Sequence, residues 1–331
     1  MTSAPVTSPP ALPRASEQGG TYPRPQLLRA QWADLTGPWD FAFDDDDAGR
    51  AAGWQREGRF DRVITVPFPP ESPASGIGDP SPHRVLWYAR DLDAADLRAA
   101  GHDAAPGNRL MLHFGAVDYR CQVWLDGQLV GSHQGGQTPF VLDVTELVGL
   151  VDGDGDGDGS VEPAARHRVV VRVEDDPADI AQPRGKQDWL EEPHVIWYHR
   201  TSGIWQTVWL ESVPAVHVTE VFWRSDPAAG TVRAQLSLSR ELAGERVRVV
   251  LDLAGRPLAA VEVTGYGSEV DVVVPVAALA NGQSYEDVMW SPEHPRLVDA
   301  RIEVGHDVVA SYLGIRTVAV TRGLFLLNDR P

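Results

Sequence analysis

Five polar side chains fall close together in the stretch Glu174 to Asp188, EDDPADIAQPRGKQD: Asp175, Asp176, Arg184, Lys186 and Gln187. Two carboxylates, two cations and an amide are the groups that hydrogen-bond a polyhydroxylated, uncharged molecule. The stretch is proline-broken and lies between two apolar segments, so it reads equally as a solvated loop with local ion pairs. Trp189 and Trp197 follow closely and could offer an apolar platform to such a ligand, or else fill a core. Other chemistry finds less support. The run from Asp152 to Gly159 alternates Asp and Gly like a calcium loop, with Gly157 at the turn. The twelfth position, which needs a bidentate glutamate, holds Pro163, or Ala165 when counted from Asp154. A flexible acidic linker is expected there, and no metal. His194 and His199 lack the companions of a metal set. No nucleophile elbow, phosphate loop or dinucleotide fingerprint occurs. No cofactor is expected.

These residues need a scaffold, and the sequence provides strands. Leu110, Leu112 and Phe114 share one face of a period-two segment, and Cys121, Val123 and Leu125 share one face of the next. Asp126-Gly127 supplies the turn of a hairpin returning over Gln128 to Gly131. In Arg168 to Glu174, the valines at 169, 171 and 173 face inward, with Arg168, Arg172 and Glu174 toward water. The acidic run Asp44 to Asp47 reads as a solvated loop ending the strand that begins at Leu35-Thr36-Gly37-Pro38. Ile196 to Glu211 holds Trp197, Trp205 and Trp209 and ends in a strand, with Ser202-Gly203 permitting a sharp bend or close backbone approach. Beyond Pro214 a second set of strands begins, about seven in number, the pattern of an immunoglobulin-like sandwich. The fold class expected is therefore all-β: a jelly-roll sandwich over residues 35–213, then an immunoglobulin-like sandwich over 214–322. Residues 1–34, rich in proline, serine and threonine, read as a disordered tail. Phe325-Leu326-Leu327 opens a further apolar strand within a few residues of Pro331, as though more structure should follow.

Composition narrows the partners. The 331 residues carry a formal charge of −18, which disfavours nucleic acid and anionic membranes. No apolar stretch is long enough to span a bilayer, and the N-terminus lacks a signal-peptide core. The single cysteine, Cys121, excludes an intrachain disulfide and reads as a buried inert thiol. A cytoplasmic setting is expected.

Several strings together resemble the two N-terminal domains of glycoside hydrolase family 2, the β-galactosidases, β-glucuronidases and β-mannosidases. They are LTGPWDF at 35–41, VLWYARDL at 85–92, LHFGAVDYRCQVWLDGQLVGSHQGGQTPFVLDVT at 112–145 and RTSGIWQTVWLE at 200–211. WSPEHPRL at 290–297, LGIRTV at 313–318 and GLFLLNDRP at 323–331 continue the resemblance through the second domain. It implies a galactose-binding-like jelly roll, a linking sandwich and, from about residue 323, the start of a catalytic β/α barrel that is absent here. In the family the barrel carries two glutamates of a retaining mechanism, and the acid/base follows an asparagine. Here Asn108, Asn281 and Asn328 precede Arg, Gly and Asp, so no catalytic residue carries over. The remaining carboxylates are expected in solvated loops, where nothing raises a pKa. In the β-galactosidase branch an aspartate at the end of a jelly-roll strand reaches the sugar pocket. Asp175 matches that place, with Asp176 as the alternative register, while the branch's first-domain asparagine has no counterpart. The resemblance implies a non-catalytic part of an enzyme hydrolysing terminal β-glycosides, partnered by a carbohydrate and by the missing barrel or a second copy of the chain. A free-standing carbohydrate-binding protein and a truncated gene product are the other readings.

Overall fold

The computed structural model describes residues 12–17, 19–58, 60–102, 107–148, 166–282 and 285–331. The Asp-Gly run at 152–159 lies outside the described residues. The chain divides into two compact units, one of residues 31–212 and one of residues 1–30 with 213–331.

The unit of residues 31–212 is a sandwich of antiparallel strands: β1 (Ala33–Asp34), β2 (Gly37–Phe43), β3 (Arg62–Val66), β4 (Val85–Leu92), β5 (Arg109–Phe114), β6 (Val117–Asp118), β7 (Arg120–Leu125), β8 (Gln128–Gln134), β9 (Phe140–Asp143), β10 (His167–Glu174), β11 (Gly203–Ile204) and β12 (Val208–Val213). One sheet runs β3-β2-β4-β10-β7-β8 and the facing one β1-β12-β5-β9. The alternating residues read from sequence fill the space between them, with Leu110, Leu112, Phe114, Val123, Val169, Val171 and Val173 all buried. Asp126 and Gly127 take φ of 50° and 76°, the positive pair that a tight two-residue hairpin turn requires.

The outer face of the six-stranded sheet is not open to water as the alternation suggested. Residues 44–58 fold over it, and Trp87, Trp124, Val85, Ala89 and Val170 form a second buried cluster with Trp54 and Phe60 packed against it. Asp44, expected in a solvated loop, is buried. It accepts hydrogen bonds from the backbone N–H of Ala48 and Gly49 and from Trp87 Nε1, each at 2.9 Å. Arg172, expected to face water, is buried too and donates to Asp47 at 2.6 Å and to Glu174. An acid and a base lie inside because each has a partner across the cover.

The other unit contains β13 (Val218–Asp226), β14 (Thr231–Leu253), β15 (Arg256–Pro275), β16 (Val298–Val304) and β17 (Asp307–Leu313), and a separate hairpin of β18 (Val318–Thr321) with β19 (Leu324–Leu327). The segments around Leu236 and Val249 belong to one strand: β14 runs for 23 residues with bulges between Ser237 and Arg246. Its first half pairs with β13 and its second with β16, while β15 follows both. Residues of both halves enter one core.

The proline-rich start of the chain is packed in part. Tyr22, Leu27 and Leu28 are buried, Leu28 pairs with Ala310, and Arg29 forms a two-pronged ion pair with Asp307 at 2.9 and 3.0 Å. Composition pointed to disorder because apolar residues are sparse there, but a few of them and one buried ion pair fasten the segment.

Candidate functional site

The site assembles at one end of the unit of residues 31–212. In the antiparallel register Glu174, last residue of β10, faces Arg120, first of β7. Asp175 therefore emerges beside the Asp118-Tyr119 corner. Asp118 pairs in turn with Gly203 on β11, and next to Gly203 stands Ser202. Two glycines make this possible. Gly203 has φ of 81°, and a Cβ there would lie 1.9 Å from the hydroxyl of buried Tyr88. At Gly136 a Cβ would lie 1.9 Å from Asp118 Oδ1. The close approach that Ser202-Gly203 suggested is thus a meeting with a tyrosine.

Asp175 is buried, its backbone N–H bonded to the carbonyl of Arg84. Its Oδ1 accepts from Gln182 Nε2 at 2.5 Å. No described residue bonds the other oxygen. Burial above all, then the Asp118 carboxyl, pushes the Asp175 acid up to about 7. Burial also raises Asp118, against the hydrogen bond from Gln187, and raises Glu71, against that from Ser202. The expectation that carboxyls of this chain lie only where nothing lifts a pKa is overturned here, because strand ends and loop enclose them.

The other expected site residues take different positions. Asp176 Oδ1 is used on the backbone N–H of Ala178. Arg184 donates to the carbonyls of Pro177, at 3.2 Å, and Asp179, so its guanidinium holds the loop together. Gln187 is spent on the protein at both ends: Nε2 donates to Asp118 Oδ2 at 2.8 Å, and Oε1 accepts from the N–H of Thr201 at 2.8 Å. Lys186 is exposed, and its ammonium has no bonded partner among the described residues. Of the five, Asp175, Asp176 and Lys186 thus have an atom that no described residue bonds, while Arg184 and Gln187 shape the loop. Trp189 is half exposed, edge-on to Trp197 at 5.3 Å and to His194 at 5.4 Å, and Tyr198 is more exposed still. Sequence reasoning missed Asp118, Glu71 and Gln182. The one available signal was an acid set between apolar neighbours, Val117-Asp118-Tyr119. Among the described residues no group of three or more His, Cys, Asp or Glu is placed to hold a metal ion. Cys121 is buried in the core, and burial pushes its thiol up to about 12.

No family model matches the chain. Among curated proteins, it is 27% identical over 351 residues to a β-glucuronidase of Canis lupus familiaris, covering 96% of this chain and 49% of that one. It is 25% identical over 258 residues to a β-galactosidase of Thermoanaerobacter pseudethanolicus, covering 75% of this chain and 30% of the relative. The chain is homologous to the glycoside hydrolases of family 2. It spans about half the length of the curated β-glucuronidases it matches. Among solved structures, Lactobacillus rhamnosus β-glucuronidase superposes with a TM-score of 0.66 at 21% identity, over 92% of this chain and 48% of that one. The apo β-glucuronidase of Ruminococcus gnavus does so at 0.62 and 19%, with the same coverage. The all-β fold, a jelly roll followed by an immunoglobulin-like sandwich, is thereby the fold of those enzymes over the matched half.

Proposed function

We propose that this chain serves as the N-terminal, non-catalytic part of a family 2 glycoside hydrolase acting on terminal β-glycosides in the cytoplasm. In this reading it contributes one wall of the sugar pocket and a scaffold, and a β/α barrel supplies the two catalytic carboxyls, held about 5–5.5 Å apart as retaining hydrolysis requires. The observation that carries the reading is Asp175. It stands at a strand end, fixed through one oxygen by Gln182, with the other oxygen unclaimed by any described residue. A carboxylate so held accepts from a sugar hydroxyl without first having to be ordered, the preorganisation that favours binding. Similarity over about half the length of a β-glucuronidase and 30% of a β-galactosidase supports the class of substrate.

The test joins this chain to a family 2 barrel in one polypeptide. Asp175→Ala should lower kcat/KM about 10–100-fold, the loss of one hydrogen bond to a charged group, with the circular dichroism unchanged. Unchanged kcat/KM removes Asp175 from the site. The chain by itself should not turn over nitrophenyl β-galactoside, β-glucuronide or β-mannoside. Turnover that co-purifies with it and is lost on mutating one of its own carboxylates overturns the non-catalytic reading. A free-standing carbohydrate-binding role is favoured by one feature, the exposed rings of Trp189 and Tyr198. Retention of the isolated chain on immobilised β-linked saccharides, lost in Trp189→Ala, would support that role instead.

A further inference from the structure

Three buried or half-buried carboxyls, Glu71, Asp118 and Asp175, come from three distant parts of the chain, yet each accepts a hydrogen bond from the same segment. Gln182 Nε2 donates to Asp175 at 2.5 Å, Gln187 Nε2 to Asp118 at 2.8 Å, and the Ser202 hydroxyl to Glu71 at 2.5 Å. The strand register sets them side by side, with Asp175 one residue beyond the Glu174–Arg120 pair, Asp118 opposite Gly203, and Ser202 adjoining. Asp118 is 2% exposed, and its Oδ1 is buried without a hydrogen-bond partner. The groups facing Asp175 are Asp118, Asp176 and Glu71 on the negative side and Arg184 on the positive, and Tyr88 faces Glu71. Arg184's guanidinium is committed to two loop carbonyls and bonds none of the three acids.

Carboxyls that share a site of low dielectric cannot all ionise, and the charge of one sets that of its neighbour. We propose that Asp118, backed by Glu71, is a positioning residue that decides whether Asp175 carries a charge. The inference rests on the reading of Asp175 as the sugar-contacting acid. Ionised, Asp175 can only accept, and two hydroxyl donors suit it; neutral, it donates one hydrogen bond and accepts others. Since Asp118 is sealed from solvent, it acts on a ligand only through Asp175. A sugar whose hydroxyls donate to Asp175 favours the ionised acid, so its binding releases a proton near neutral pH.

The test needs no sugar. In the full chain labelled with carbon-13 at aspartate and glutamate side-chain carboxyls, the Asp175 resonance is assigned by its loss in Asp175→Asn. In the parent it should titrate close to neutrality. In Asp118→Asn, whose amide oxygen can still accept from Gln187, the Asp175 midpoint should fall by about one pH unit or more, a roughly tenfold larger ionised fraction in the titration range. A midpoint within about 0.3 units of the parent overturns the proposal; a purely structural role for Asp118 would leave the titration where it was. Should Asp118→Asn fail to fold, Glu71→Gln decides by the same measure, with a smaller fall supporting the proposal and no fall overturning it. Failure here leaves the kcat/KM test of Asp175 untouched, and the two ideas fall separately.

Discussion

Gly203→Ala tests how tightly the site is closed. Gly203 holds φ at 81°, and an alanine there leaves the comfortable backbone regions at a cost of about 1–2 kcal/mol. The new methyl would stand 1.9 Å from Tyr88 Oη, 2.9 Å from its Cζ and 3.1 Å from Leu86 Cδ1. Tyr88 and Leu86 are fully buried, so neither can swing away, and overpacking adds about 1–3 kcal/mol. The expected destabilisation is about 2–5 kcal/mol, a large share of the 5–15 kcal/mol of an ordinary domain. Urea unfolding followed by tryptophan fluorescence measures it, because nearby Trp205 and Trp209 report on this unit. Tyr88→Phe removes the oxygen at 1.9 Å. The double variant Gly203→Ala/Tyr88→Phe should therefore lose at least about 1 kcal/mol less than the sum of the single losses. A Gly203→Ala chain within about 0.5 kcal/mol of the parent, or strictly additive losses, refutes the close approach.

Asp44→Ala strands the N–H groups of Ala48, Gly49 and Trp87, and a loss of about 2–4 kcal/mol with a shifted tryptophan emission is expected from urea unfolding. Asp307→Ala leaves buried Arg29 without its ion pair and strips a bond from the N–H of Val218; about 3–5 kcal/mol should be lost, and limited proteolysis should cut within residues 12–30. Stability should also depend on pH, and the three buried acids contribute with one sign. Asp175, Asp118 and Glu71 have folded pKa values above their unfolded ones, so their contribution is fully present below pH ~4 and is lost as pH rises. Asp143, Glu174 and Glu303, lowered by hydrogen bonds and arginine partners, contribute with the opposite sign. For Asp175 the decline spans pH 3.8 to about 7 and is on the order of 1–4 kcal/mol. The melting temperature of Asp175→Asn relative to the parent should rise from about pH 4.5 to about 7.5; a constant difference between the two chains would count against the burial of that acid.

What the sequence disclosed was local. Asp126-Gly127 dictates its own turn, because positive φ is a property of those two residues, and the hairpin on either side followed from period-two alternation. Gly203 announced that something comes close, but not that it is Tyr88, which lies 115 residues earlier. Four successive aspartates looked solvated because their partners are invisible locally: Trp87 for Asp44, Arg172 for Asp47. The same reason hid Asp118 and Glu71, whose partners Gln187 and Ser202 reach them only after the sheet has formed. Arg184 and Gln187 have side chains suited to a sugar, and that chemistry is consumed by the loop they sit in. Bulges within β14 hide its continuity from the sequence, since the hydrophobic period breaks at a bulge while the hydrogen-bond ladder resumes beyond it.

The 23-residue β14 has a bearing on how its unit comes apart. Hydrogen-bonded to β13 along its first half, to β16 along its second and to β15 through both, it leaves no strand boundary at which one side of the core could open and the other stay closed. Amide protons of β13 and of β16, which never touch each other's ladder, should then exchange with solvent through a common opening event of one free energy, as a single cooperative foldon. An insertion or deletion in β14 would shift the register on two fronts at once, which leaves the bulged stretch between Ser237 and Arg246 as the place where length can vary without breaking either ladder.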